Sequence, residues 1–239
     1  MSVSLREYIR WLPDDASEPT STIVVTSPGS HFVDIRALRP ASAPADWPSP
    51  SAETVQLMPD QLDWAIAGTS TYEPAGDHTR GRWAHWIDSR TTDTDGVADE
   101  GDNYTQPDGT TLEKGVMLNP ATGKETEYEE LWRDVKVLPV SGDKIRSVVV
   151  QMDNGNDTRG SVVLAGQYCQ GLLRKAGEIS VERWQFGERG WEKVLDMGAG
   201  SLPCHHILSA NDLSQGQTFA FGGDEWKVVE ISFFSPSDL

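Results

Sequence analysis

The sequence predicts an all-β protein, and three observations carry that reading. Short runs of β-branched and aromatic residues recur between Gly, Pro, Asn and Asp, as half-buried strands recur between their turns. The nine tryptophans cluster on those runs. Apolar residues at helical spacing are scarce. The chain has 239 residues, a length that barrels and sandwiches can reach as one unit, so length alone leaves one or two domains open.

In the first half the expected strands are 3–11, 22–26, 31–38, 62–69, 82–88 and 112–118, with Pro-Gly, Asn-Pro and Asp-Gly pairs between them. In the second half they are 145–152, 160–173, 179–186, 191–197, 218–221 and 226–233. Asn154-Gly155 supplies the positive φ angles of a tight turn, which predicts a hairpin of Val148, Val149 and Val150 with Val162, Val163 and Leu164. The turn from Gly187 to Gly190 predicts a second hairpin, returning 179–186 into Trp191. Two stretches read as mobile surface connections: 39–51, with four prolines, and the acidic 91–108. Residues 123–132 (GKETEYEELW) are the best place for a short helical turn, because Thr126 and Glu129 have capping-box spacing. Each half has an aliphatic strand with an Ala-Gly pair followed by Trp-bearing strands, which hints at two copies of one barrel-like unit.

Composition excludes some partners. A net charge of −17 repels nucleic-acid phosphates and anionic headgroups, and it either serves solubility or draws in basic proteins and cationic ligands. No run approaches the roughly 18 apolar residues of a membrane span, so no membrane insertion is expected. The opening MSVSLREYIRW lacks the apolar segment of a secretion signal, so a reducing compartment is expected and Cys169 and Cys204 read as free thiols.

The tryptophans are the most unusual feature. Trp64, Trp83, Trp86 and Trp132 are the candidates to line a ligand cavity in a first barrel, where inward side chains either fill the interior or hold one small hydrophobic molecule. The acidic set Asp93, Asp95, Asp99, Glu100 and Asp102 departs from calcium-loop spacing, with Tyr104 where the bidentate Glu should stand. It reads as a solvated loop or as a docking surface for a basic partner. Cys204-His205-His206 is the one cluster of soft ligands, but it has no second Cys or His close in sequence, so a rim loop is expected and no metal site is assigned. Templates for nucleophile elbows, phosphate loops, zinc proteases and dinucleotide folds find no match. No cofactor and no catalytic residue is assigned. An interior carboxylate could still do acid/base work, with Glu130 beside Trp132 and Asp63 beside Trp64 as the positions to inspect.

Taken in order, 62–69 (LDWAIAGT), 86–88 (WID), 129–132 (EELW), 165–171 (AGQYCQG) and 225–230 (EWKVVE) resemble the fungal HRI-type family, named for interaction with a casein-kinase-1-type enzyme. The likeness spans nearly the full chain. It implies two consecutive lipocalin-like antiparallel β-barrel domains, here placed at 1–130 and 131–239. It also implies a cytoplasmic and nuclear location and a non-enzymatic protein-interaction role, with a casein-kinase-1-type enzyme as candidate partner. A carrier or sensor of a small hydrophobic ligand is the alternative. Tyr168 stands where the family can have Trp, and the acidic stretch around Asp93 to Asp102 matches no motif of the family, so the kinase partner need not transfer.

Overall fold

The computed structural model describes residues 1–50, 52–155 and 157–238, so Ser51 of the proline-rich connection and Asn156 of the predicted turn lie outside the described residues. Eight strands close a fully antiparallel barrel: β1 (Ser2–Trp11), β2 (Thr20–Thr26), β3 (His31–Leu38), β5 (Leu62–Ala75), β6 (His78–Asp88), β7 (Ala98–Thr105), β8 (Thr111–Asn119) and β9 (Lys124–Asp134). Between β3 and β5 the chain leaves to place β4 (Val55–Gln56) on a second sheet.

That sheet contains β10 (Ile145–Asp153), β11 (Thr158–Ala165), β12 (Tyr168–Lys175), β13 (Glu178–Gly187), β14 (Gly190–Met197), β15 (Thr218–Phe221) and β16 (Asp224–Phe234). Its order is β15-β16-β10-β11-β12-β13-β14-β4, with β15 and β4 as its edges, and only the β14–β4 pair is parallel. One short helix, α1 (Cys204–Ser209), completes it.

Both predicted hairpins form. Val148, Val149 and Val150 pair with Leu164, Val163 and Val162, and Val181 to Gly187 pair with the run from Met197 back to Gly190. Five expectations are corrected. The run 160–173 is two strands, broken at Gly166, which takes the positive φ that the tight turn requires. Residues 123–132 form most of β9 and not a helical turn, because pairing with β1 and β8 on either side outweighs one capping box. Within the connection predicted over 91–108, residues Ala98–Thr105 are β7. Cys204-His205-His206 opens α1, with Cys204 buried and both histidines exposed, and so is not a rim loop. The 39–51 connection is not wholly surface either, since Trp47 packs against the core.

The main core lies between the two sheets. β3 is buried on both faces: Val33, Ile35 and Ala37 point outward and join Ile23, Val25, Ala65 and Ala67 against Val149, Val163, Leu172 and Val181 of the second sheet. Two polar side chains cross this apolar layer and satisfy backbone carbonyls. Gln170 Nε2 donates to Ile23 O and Val33 O, each at 2.8 Å, and Arg183 donates to Gln170 Oε1 at 2.7 Å and Ile35 O at 2.7 Å. Burial pulls the Arg183 guanidinium down to about 10, which leaves it charged at neutral pH.

The far face of the second sheet is filled. Val148, Val150, Leu164, Cys169 and Leu173 pack with Leu202, Cys204 and Ile207 around Trp226. Gly160 makes room for that indole, since a Cβ there would lie 2.3 Å from its Cη2 atom. Cys169 and Cys204 are both buried free thiols.

Candidate functional site

The interior of the closed barrel is built differently. Alternation along β3 turns Phe32, Asp34 and Arg36 inward while their neighbours bury against the second sheet. The same alternation brings Asp99 and Asn103 from β7, Glu113 and Met117 from β8, and Tyr128, Glu130, Trp132 and Asp134 from β9 to the lumen. They enclose a cavity of about 320 Å³. It opens at the end where β1 begins and β9 finishes, with Ser2, Tyr72, Thr105 and Asp134 at the rim. Glycines give the lumen its room: a Cβ at Gly101 would sit 2.8 Å from Glu113 Cγ.

An ion network forms the floor. Arg6 and Arg36 both donate to Glu130 Oε1, Arg36 at 3.0 Å, and Arg36 Nε donates to Asp34 Oδ2 at 2.9 Å. Arg6 is also held by Glu18 at 2.9 Å and Thr20 at 2.8 Å. Burial raises the Asp34 carboxyl above the ordinary carboxylate range, against the pull of Arg36. Its Oδ1 atom has no hydrogen-bond partner, and neither has Trp132 Nε1.

Two further groups complete the walls. Glu113 and Glu130 are direct cross-strand neighbours, and Tyr128 OH donates to Glu113 Oε1 at 2.6 Å. Burial first, and the adjacent Glu130 charge second, push Glu113 up to about 8, so it carries a proton at neutral pH. His85 Nδ1 lies 2.8 Å from Asp88 Oδ2 and its Nε2 lies 3.2 Å from Asp99 Oδ2. Burial opposes charging of His85, but the hydrogen bonds to Asp88 and Asp99 outweigh it and raise the imidazole to about 9.

Of the four predicted cavity tryptophans, Trp83 and Trp132 line the cavity. Trp64 sits below it as a plug: it is buried, donates Nε1 to Asp88 Oδ1 at 2.8 Å, and has Arg36 and Arg90 over its ring at 5.1 and 4.1 Å. Trp86 is at the β-bulge between β5 and β6 and leans on the inter-sheet core, with Arg159 at 5.7 Å from its ring. Trp83 and Trp86 are three residues apart on β6, so strand alternation sets them on opposite faces, Trp83 in the lumen and Trp86 against the core.

The five acidic candidates divide among three settings. Asp99 faces the lumen. Glu100 and Asp102 face outward and pair with Arg80 at 3.0 and 3.1 Å. Asp93 and Asp95 are exposed and line an open hollow with Asp153, Asp157, Arg159 and Arg174. Asp63 pairs with Arg90 at 3.2 Å, whereas Glu130 is interior. Among the described residues, no group of three or more His, Cys, Asp or Glu is arranged to hold a metal ion. No helix there is long and apolar enough to cross a membrane.

Sequence reasoning singled out Glu130 but missed Asp34, Arg36, Glu113 and His85. The available signal was β3 itself, whose one apolar face alternates with a charged face that needs somewhere to point.

A closed barrel with an open, charge-floored cavity, backed by a second sheet whose interior is filled, defines an all-β protein built around one hollow unit and one solid one. The family model described as Protein HRI1 matches residues 2–230, and the chain belongs to that family. Protein HRI1 of Vanderwaltozyma polyspora is 25% identical over 258 residues, covering 98% of this chain and 100% of the relative. The crystal structure of the uncharacterized protein YLR301w from Saccharomyces cerevisiae superposes with a TM-score of 0.74 at 19% identity, over 97% of this chain and 98% of that one, and so shares the fold.

Proposed function

We propose that the chain binds a small amphipathic molecule in the first barrel, as a carrier or sensor. The observation that carries this is the cavity: about 320 Å³, open at one end, with the aromatic rings of Trp83 and Trp132 and the apolar side chains of Ile66 and Met117 set among charged groups. Small-molecule sites share this size and this mixture of apolar wall with a few placed polar groups. Binding is favoured over chemistry because Glu130, Asp34 and Asp99 are tied to Arg6, Arg36 and His85.

Thr105 is exposed at the rim, so Thr105→Trp should block the entrance with little effect on folding. Native mass spectrometry of the purified protein should show small-molecule adducts on the wild type and at least about tenfold lower occupancy on the variant, if closing the mouth removes most of the apolar burial. Equal adducts on both proteins would sink the reading.

A second reading is contact with a basic partner protein, such as the casein-kinase-1-type enzyme that the family name suggests. Exposed Asp93 and Asp95 and the net charge of −17 support it. A pull-down with such a kinase should then weaken steeply as salt rises. Binding that is unaffected by Asp93→Asn with Asp95→Asn would remove this edge as the contact.

A further inference from the structure

From the charge balance inside the barrel we infer that the ligand is a small organic cation, a protonated amine or ammonium on an apolar body, with its charged head toward Asp34. This rests on the reading of the first barrel as a binding site. The interior contains the cations Arg6, Arg36 and His85 against the carboxyl groups of Glu18, Asp34, Asp88, Asp99, Glu113 and Glu130. Even with Glu113 protonated, acidic groups outnumber basic ones, and Asp134 adds another carboxyl at the rim. Among the described residues Arg36 is the one cation lining the cavity, and its Nε and Nη1 are already given to Asp34 and Glu130.

Asp34 supplies a second, independent observation. It is 3% exposed, it lines the cavity, and its Oδ1 accepts nothing. A buried carboxylate oxygen without a donor is an unmet demand, and an ammonium N–H meets it with opposite charge. The aromatic walls point the same way. Trp83 stands edge to face with Tyr72 at 5.8 Å, and Trp132 borders the same space, so the upper cavity offers π faces of the kind that attract organic cations. The barrel already uses this contact: Arg36 and Arg90 flank Trp64, and Arg36 also stands 6.0 Å from the Trp132 ring, which leaves Trp83 and Tyr72 as the aromatic side chains nearest the mouth. Val24, Ile66 and Met117 would receive the apolar body. An anionic ligand would meet Asp34, Asp99, Glu113 and Glu130, and among the described residues the lining offers only Arg36, already paired with two of them, to offset their charge.

The same geometry couples binding to a proton. Glu113 is faced by Glu130 and Tyr128 from β9, Arg36 from β3 and Asp99 from β7. A cation arriving among them favours the ionised form of Glu113, so binding releases a proton at neutral pH and tightens as pH rises through about 8.

The test is a matched set of probes on one scaffold, titrated into the full chain by calorimetry at neutral pH: 4-phenylbutylamine, 4-phenylbutan-1-ol and 4-phenylbutyrate. The amine should bind about tenfold or more tightly than the alcohol, and the carboxylate weakest, as a charge-assisted bond to Asp34 requires. Asp34→Asn should lower the ratio of amine to alcohol affinity by about tenfold, each ratio being taken on the same protein. If that variant does not fold, the wild type decides: titrations in buffers of different ionisation enthalpy should report proton release with the amine and none with the alcohol. An alcohol or carboxylate that binds as tightly as the amine overturns the cationic class and leaves the binding barrel standing. Failure of all three probes to bind overturns the barrel reading along with it.

Discussion

Glu130→Ala should destabilise the folded chain by about 3–5 kcal/mol, measured by urea denaturation, because it strips a shared counter-ion from two buried guanidiniums. Glu130 is 2% exposed, and one of its oxygens accepts from both Arg6 and Arg36. Without it, Arg6 retains Glu18 and Thr20, and Arg36 retains only Asp34. The loss is one-sided: the charges stay buried, and the lumen around them is too enclosed to restore their full hydration. Glu130→Gln keeps an acceptor at the same place without the charge, and should cost about half as much. A cost below about 1 kcal/mol for the alanine variant would mean that water already shares the floor with these side chains.

This network also marks where the sequence was and was not legible. Strands with one apolar face stood out, and so did turns that need a positive φ. The pairing of Val149 with Val163 and the return from Phe186 into Trp191 could be read directly. The acidic strand Ala98–Thr105 and the charged strand Lys124–Asp134 were read as a loop and a helical turn. Alternation was present in both, but its inward members are Asp99, Gly101, Asn103, Glu130 and Trp132, and a core was expected to be apolar. A polar lumen inverts that rule, so inward and outward residues look alike in hydropathy. The addition of Val55–Gln56 to the edge of the second sheet depends on a contact about 140 residues distant in sequence, which no local pattern carries. Of the tryptophans, Trp83 and Trp132 reach the cavity, whereas Trp86, three residues from Trp83, lies on the opposite face of β6 and a hydrogen bond to Asp88 holds Trp64 beneath the cavity.

The lumen should also make the protein less stable as pH rises from about 6.5 to about 9, by on the order of 3 kcal/mol. Glu113 is raised from 4.5 to about 8 in the folded chain, so between those values the folded state holds a proton that the unfolded state has lost. Its stabilising contribution is complete below 4.5 and gone above about 8. His85, raised from 6.5 to about 9 by Asp88 on its own strand and Asp99 on β7, has the same sign, contributing fully below 6.5 and losing that contribution by about 9. Asp88 has the opposite sign, since its hydrogen bonds with His85, Arg90 and Trp64 overcome burial and hold it below the ordinary range, so its contribution is lost only in acid. The maximum of stability should therefore lie on the acidic side of neutrality. Glu113→Gln retains an acceptor for Tyr128 OH and removes the titration, so its profile should flatten below about 8 and leave the variant more stable than wild type at pH 9. Thermal melts of both proteins across this range check it. If wild-type stability rises with pH through the window, or the two profiles coincide, then Glu113 is ionised in the folded barrel and the Glu113–Glu130 pair is not a proton-holding pair.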